Sequence, residues 1–374
     1  MLRVELRTPG IVSALGVGAE ETERRLFAGD TSGMKPVDDL SGGDSTVFGF
    51  APVGGTSPTR VGSLIAAAIA QIDVAALRRE FKPERIGVVV GTSNSTMEEF
   101  TDNPDRIDMA YPAEFVRELT GAGGPSWSVS TACSSSAKVF ASARRLIRDG
   151  LCDAVIVGGA DAHTRTVVEG FHSLEALSSR LARPLCADRD GISLGEGAAF
   201  FVMSRAEGPA GSKIELLGVG ESSDAHHLTA PDPEGIGAEA SMRAAIADAG
   251  LEPSDIDYVN LHGTGTTYND SMECEAVRRV FGDRVPCSST KPLTGHCLGA
   301  AGAVEAALCW LALRRGRGLP PHCAGPVDSV LAPFPVPCAG DMTPLTTALS
   351  NSFAFGGSNA SVVLGLSRRP QASA

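Results

Sequence analysis

Four short apolar runs bounded by glycine or polar residues alternate with alanine-rich helical stretches: Arg85-Ile-Gly-Val-Val-Val-Gly91, Asp153-Ala-Val-Ile-Val-Gly-Gly159, Ala198-Ala-Phe-Phe-Val-Met203 and Tyr258-Val-Asn-Leu-His262. Runs of this kind lack the strict polar alternation of a sheet with one wet face, so both faces of the sheet must be covered. The covering helices are expected at Arg60 to Ala70, Ala137 to Asp149, Ala238 to Ala249, Ser271 to Phe281 and Gly302 to Arg315. Their many alanines favour helix and let neighbouring elements approach closely. The result is a layered α/β protein. A weak internal echo adds to this, since a helix precedes a strand of similar type both at Arg60 to Gly91 and at Met242 to His262. Two pseudo-duplicated halves are therefore expected, with one site near the carboxyl ends of their strands, where α/β proteins place chemistry.

The chain has 374 residues, enough for two domain-sized units, but no polar linker divides it. One two-lobed body is expected. Hydrophobic residues make up 43% and charged residues 20%, a composition that buries a core. No apolar run approaches the roughly 18 residues of a membrane span, and Met1-Leu-Arg-Val-Glu-Leu-Arg7 has no signal-peptide core, so no membrane association and a cytoplasmic location are expected. The net charge of −12 argues against a nucleic-acid partner, and an acidic protein partner would need a local basic patch. The nine cysteines include no CxxC pair and no zinc spacing, which argues against structural disulfides and a metal site. Cys152, opening an apolar strand, and Cys309, inside an Ala/Leu helix, read as buried inert thiols.

Cys133 is different. It lies in Ser128-Val-Ser-Thr-Ala-Cys-Ser-Ser-Ser-Ala137, where a strand gives way to a helix. At a helix N-terminus the free N–H groups and the dipole stabilise a thiolate, and such cysteines have pKa values of roughly 3.5 to 7.5. Two later turns each supply a histidine: His262-Gly-Thr-Gly-Thr266 and Lys291-Pro-Leu-Thr-Gly-His296. One nucleophile and two distant histidines suggest a site assembled by the fold.

These segments, with Arg189-Asp-Gly-Ile-Ser-Leu-Gly-Glu-Gly-Ala198 and Asn351-Ser-Phe-Ala-Phe-Gly-Gly-Ser-Asn359, occur in an order that resembles the β-ketoacyl-acyl-carrier-protein synthases, over essentially the whole chain. The resemblance implies the thiolase fold, two α/β halves (residues 1–208 and 209–374) in five αβαβα layers. Its Cys-His-His set is similar to that of elongating ketosynthases. Chain-starting enzymes have Cys-His-Asn instead, and degradative thiolases use a second cysteine. The implied reaction is decarboxylative Claisen condensation of an acyl chain held on Cys133 with malonyl-acyl-carrier protein, without cofactor or metal.

The resemblance also implies individual roles. Cys133 is the nucleophile, and its N–H with that of Phe355 forms the oxyanion hole. His262 and His296, as neutral imidazoles, donate to the enolate oxygen. Lys291 forms a buried charged pair with a glutamate and orients the histidines, with Asp270 and Glu273 as the acids following His262. Phe355 gates the acyl pocket, Thr264, Thr266 and Phe353 contact substrate, and Asp270 and Asn359 are supporting residues. Ser222 to Pro231 resembles a mobile loop against the gate, and its His226 and His227 receive no role; His163, His172 and His322 read as structural or surface residues.

Three departures stand out. The gate reads Ala354-Phe355-Gly356-Gly357 where the family has Gly-Phe-Gly-Gly, which predicts a different path of gate opening or a slower one. Gly265, Thr267, Tyr268 and Asn269 replace the usual residues after His262. The cap segment, about 92–124, is shorter than the family pattern, so acyl length cannot be carried over. The trimmed cap favours a specialised aryl polyene or polyketide pathway over housekeeping fatty-acid synthesis. Both a homodimer and a heterodimer with another ketosynthase-like subunit remain open. A non-catalytic partner resembling a chain-length factor is opposed by Cys133 and both histidines, and a CoA-dependent thiolase by His296. Two basic runs, Arg144/Arg145/Arg148 and Arg78/Arg79/Lys82, are carrier-docking candidates or ordinary solvated helix faces.

Overall fold

The computed structural model describes residues 2–38, 40, 43–97, 107–208 and 213–366. The first half runs β1 (Val4–Leu6), β2 (Gly10–Ser13), β3 (Gly16–Val17), α1 (Ala19–Ala28), β4 (Met34–Val37), β5 (Thr46–Gly49), α2 (Arg60–Ile69), α3 (Val74–Glu80), β6 (Ile86–Gly91), α4 (Tyr111–Thr120), β7 (Ser126–Val129), α5 (Ser135–Arg148), β8 (Ala154–Asp161), α6 (Arg165–Ser173) and β9 (Gly197–Arg205). The second half runs β10 (Ile214–Ser223), α7 (Ile236–Ala249), β11 (Tyr258–Asn260), α8 (Thr267–Phe281), β12 (Cys287–Ser288), α9 (Lys291–Thr294), α10 (Ala301–Arg315), β13 (Thr347–Ala354) and β14 (Ser358–Leu366).

Strand pairing repeats. The order β7-β6-β8-β9-β1 in one half is matched by β12-β11-β13-β14-β10 in the other, and β1 pairs with β10 at the join. In each half the first two pairings are parallel and the next two antiparallel. The echo in the sequence is thus a duplicated sheet.

Alternate side chains on each strand enter different cores, as the period of two requires. In the first half Val88, Val90, Ile156, Phe200 and Val202 meet α2 through Val61, Leu64 and Ile65. Their neighbours Val89, Val155, Val157, Phe201 and Met203 turn the other way, toward α5 and α10. Val362 and Leu364 of the second half close on the same helices from the opposite side, while Val363 and Leu349 face α7 through Met242, Ala245 and Ile246. The layers are therefore α, β, α, β, α. Burying each such side chain contributes about 1.5–3 kcal/mol.

The middle layer explains α10, which is buried all round from Ala301 to Leu313, as expected of a helix sandwiched between two sheets. Gly302 permits its close approach to α5, because a Cβ there would stand 2.7 Å from the Ala137 nitrogen. Among the described residues no single helix is long and apolar enough to cross a membrane. Of the shortened cap, residues 98–106 lie outside the described residues; α4 packs on α2, and the Thr59 hydroxyl donates to the Tyr111 hydroxyl at 3.2 Å.

Candidate active site

Cys133 follows β7, His262 follows β11, His296 follows β12 and Phe355 follows β13, so all four stand beyond the carboxyl ends of parallel strands. The Cys133 turn is held by its serines and Thr131. Ser134 Oγ donates to the Thr131 carbonyl (2.8 Å), Ser135 Oγ to the Ala132 carbonyl (2.5 Å), and Thr131 N–H to Ser135 Oγ (2.9 Å). Ala132 takes a left-handed φ of 51° to make the turn. Cys133 thereby reaches the floor of a cavity of about 330 Å³ that His262, His296, Thr264, Phe353 and Phe355 also line.

Glu273 fixes the backbone at the first histidine. Its Oε1 accepts the His262 N–H (2.8 Å) and the Asn351 amide (3.1 Å), and its Oε2 the Gly263 N–H (2.7 Å). Lys291 fixes the ring. Its ammonium donates to the His262 carbonyl, to Glu305 Oε1 (2.5 Å) and toward His262 Nδ1 (3.4 Å). An ammonium has donors only, so Nδ1 must accept and the imidazole proton sits on Nε2.

His296 is held by its backbone, donating to the Ser193 carbonyl (2.8 Å) and accepting from Gly195 N–H (3.0 Å). That is the contribution of the Arg189 to Ala198 segment, and Gly195 is needed because a Cβ there would lie 2.2 Å from the Thr294 carbonyl oxygen. His296 Nε2 stands 3.0 Å from Cys133 Sγ, and the two imidazoles meet edge to face at 5.2 Å. Burial first, and then the Lys291 charge, push both imidazoles well below the ordinary histidine range, so both are neutral near pH 7.

Two expectations need correction. The partner of Lys291 is Glu305, not Glu273 or Asp270. Both members of that pair are almost fully buried, and Asp270 instead accepts the Leu185 (2.9 Å) and Gly265 (3.2 Å) N–H groups. Glu305 had a visible signal, a lone acid in the otherwise apolar run Gly302 to Leu313. The thiol also differs. Burial pushes Cys133 up to about 12, while the Lys291 charge and the N–H groups of Phe355 and Cys133 pull it down. The resting nucleophile is therefore a neutral thiol rather than a pre-formed thiolate. Those same two N–H groups both point toward Cys133 Sγ.

The gate is latched on several sides. The Phe355 ring stacks on Phe171 of α6 at 5.6 Å, a neighbour that the sequence reading missed. Gly356 N–H donates to the Leu228 carbonyl (2.7 Å), Asp224 N–H to the Gly357 carbonyl (2.9 Å), and Asn359 Nδ2 to Asp224 Oδ1 (2.6 Å). Ala354 has φ −101° and ψ 154°, ordinary extended backbone that alanine adopts freely. Thr264 and Thr266 bond each other through their hydroxyls (3.1 Å), and Thr266 also caps α8. Phe353 lies with its ring 6.3 Å from that of His262.

Cys133, His262 and His296 offer donor atoms within 4.8 Å of one another, as a metal site would. Their surroundings do not suit a cation. Nε2 of His262 carries a proton, an ammonium stands behind its ring, and His296 Nδ1 has no partner among the described residues, let alone the carboxylate or carbonyl that usually orients a ligating histidine. The set suits a developing anion.

Neither basic run lies at the cavity. Arg144, Arg145 and Arg148 occupy the far end of α5, roughly 15–20 Å along the helix from Cys133, and face Asp248, Glu221 and Asp149. Arg78, Arg79 and Lys82 precede the amino end of β6, opposite the site.

The sequence matches two family profiles, "Beta-ketoacyl synthase, N-terminal domain" over residues 15–208 and "Beta-ketoacyl synthase, C-terminal domain" over residues 214–324. A relative from Rhizobium meliloti, 3-oxoacyl-[acyl-carrier-protein] synthase 2, is 36% identical over 97% of this chain and 99% of its own length. Its alignment spans 422 positions, more than the chain has residues, so the relative carries segments that this chain lacks. Among solved structures, a ketosynthase in complex with its chain length factor from Xenorhabdus doucetiae superposes with a TM-score of 0.88 at 38% identity, covering 98% of both chains. The ishigamide ketosynthase/chain length factor gives 0.85 at 29% identity over 98% of this chain and all of the other. With the thiolase-type duplicated sheet and the assembled Cys-His-His cavity, these matches establish that the chain belongs to the β-ketoacyl synthase family.

Proposed function

We propose that this acyltransferase catalyses decarboxylative Claisen condensation between an acyl group on Cys133 and malonyl-acyl-carrier protein. The observation that carries the reading is the 3.0 Å approach of His296 Nε2 to Cys133 Sγ beside a neutral His262 whose Nε2 bears a proton. In the first step Sγ attacks the donor thioester, the oxyanion is held by the Cys133 and Phe355 N–H groups, and the carrier thiolate leaves with the proton that Sγ gives up. Malonyl-acyl-carrier protein then loses CO2, and its enolate oxygen accepts hydrogen bonds from the two imidazoles. The new carbanion attacks the acyl carbonyl, the C–S bond breaks, and the Cys133 thiolate takes a proton from solvent. Neutral imidazoles suit this role because they donate without giving up a proton.

A non-catalytic partner role is not favoured, since every group that the condensation requires is present. A specialised polyene or polyketide pathway is supported by the shortened cap and by the likeness to ketosynthases that pair with a chain length factor. A ketosynthase-like second subunit is the expected partner. Among the described residues the outer edge of β7 has no neighbouring strand, and Trp127 on it is exposed, which leaves room for such a subunit beside the Cys133 turn. A cytoplasmic location follows from this reading. The test is intact-protein mass spectrometry of the wild type and Cys133→Ala after incubation with acyl-carrier-protein thioesters of several lengths. Acyl mass on the wild type alone supports the reading, and no loading from any donor overturns it.

A further inference from the structure

Asn351 is a polar residue on an otherwise apolar strand face. It stands on β13 with Leu349 and Phe353 two residues to either side, both of which enter the core formed with α7 and α8, and it is itself fully buried. An amide in such a place costs stability unless it is hydrogen-bonded, and its bonds here are directional. Nδ2 donates to Glu273 Oε1 (3.1 Å) and turns its other proton to the Met242 sulfur (3.5 Å), while Oδ1 accepts from Ser361 Oγ (2.8 Å), its register partner on β14. A carboxylate only accepts, so the NH2 end must face Glu273, and Ser361 holds it that way round. Ser361 Oγ lies 3.1 Å from Ser241 Oγ of α7, which ties the amide to the outer helix as well.

Glu273 depends on donors of this kind. Burial pushes its carboxyl up to about 7, and the donors on Gly263, His262 and Asn351 pull it down. The titratable groups that face it are Asp270 and Cys274 of α8, His262 beyond β11 and Cys287 of β12, and Asp270 works against its charge. That charge is held narrowly near neutrality, and each N–H counts. A protonated Glu273 would turn an O–H toward one of the backbone N–H groups that it now grips, and the His262 turn would slacken. We propose that Asn351 is a positioning residue for the decarboxylation step, acting through Glu273 on the backbone of His262 and so on the Nε2 proton offered to the enolate. This rests on the condensation reading above. Acyl transfer to Cys133 draws instead on the Cys133 and Phe355 N–H groups, and His296 is anchored separately by the Ser193 carbonyl and the Gly195 N–H. The two partial reactions therefore separate.

The experiment follows the two steps apart: Cys133 acylation from an acyl-carrier-protein thioester, read by intact mass, and CO2 release when the loaded enzyme meets malonyl-acyl-carrier protein. Asn351→Leu is expected to slow CO2 release about tenfold to a hundredfold, the range commanded by a hydrogen bond to a charged group, and to leave acylation within about threefold. In Asn351→Asp two buried carboxyls hold one proton between them, and that proton replaces the amide donor. Its CO2 release should stay within about threefold of wild type at about pH 6.5 and fall about tenfold or more below it by about pH 9, as the shared proton leaves. If Asn351→Leu does not fold, Asn351→Asp is read alone. Equal loss of both steps in either variant, or CO2 release in Asn351→Asp that runs parallel to wild type across that pH range, overturns the assignment. Failure of the wild type to take up any acyl group would instead strike at the condensation reading itself.

Discussion

The turns that lead into α5 and α10 occupy equivalent places in the two halves, and only one of them carries a nucleophile. Each places a non-glycine residue at left-handed φ three positions before its helix, Ala132 at 51° and Leu298 at 53°. The next residue is Cys133 in one case and Gly299 in the other. A Cβ on Gly299 would stand 2.5 Å from the Ser93 nitrogen and 2.6 Å from Asp161 Oδ2. Asp161 is itself gripped by Thr92 Oγ1 (2.6 Å), Ser93 N–H (2.8 Å), Ser93 Oγ (2.9 Å) and Asn94 N–H (3.2 Å). Ser93 beyond β6 and Asp161 at the end of β8 thus block the position that the other half leaves open. The end of β11 instead holds His262 on the Glu273 carboxylate. Duplication supplied two equal geometries, and what packs against each turn decided which became reactive.

The comparison can be tested most severely by exchanging its defining residues. Cys133→Ala should abolish acyl loading and condensation entirely, as intact mass and product assays would read. Lys291→Met leaves Glu305 buried without its cation and should cost about 3–5 kcal/mol in denaturant unfolding. Lys291→Met/Glu305→Leu should regain much of that stability but not the activity, because His262 Nδ1 has still lost the donor that fixes its tautomer. Gly299→Ala should cost about 1–3 kcal/mol by overpacking without touching a reacting group; a wild-type melting curve would show that the two turns are not constrained differently.

Smaller effects sharpen the picture. His296 has a folded pKa well below its ordinary 6.5, so its contribution to stability is complete above about pH 6.5 and is lost as pH falls below it. His296→Asn should therefore flatten the acid side of the stability profile by about 1.4 kcal/mol per pH unit, as thermal unfolding from pH 7 to pH 5 would show. Ala354→Gly should lower stability by about 0.5–1 kcal/mol and speed acyl loading by a small factor, because Ala354 is comfortable in the closed gate and costs freedom only when the gate moves. Equal loading rates in stopped-flow acylation would remove Ala354 from the gating account.

Much of this was legible in the chain because it is local. The continuously apolar runs of β6, β8 and β9, the alanine-rich helices and the turns holding Cys133, His262 and His296 are written in contiguous residues. Contacts between distant segments were not. Lys291 and Glu305 lie in different helices, and the acids nearest His262 in sequence, Asp270 and Glu273, bind backbone N–H groups instead. The thiol differs from its expectation for a related reason, since the helix N-terminus is visible in sequence whereas the desolvation of a cavity floor is not. The sequence left the two basic runs open between docking patch and solvated helix face because it does not say which end of a helix faces the site.

The shared middle layer has one more consequence. α5 belongs to the first half and α10 to the second, and each covers sheet surface of both. Neither half can bury its own inner face alone. A chain break between Arg205 and Ile214 would yield two fragments, one bearing the thiol and the other both imidazoles, that are each obliged to find the other. Condensation in such a split enzyme would report reassembly directly, with turnover itself serving as the association signal.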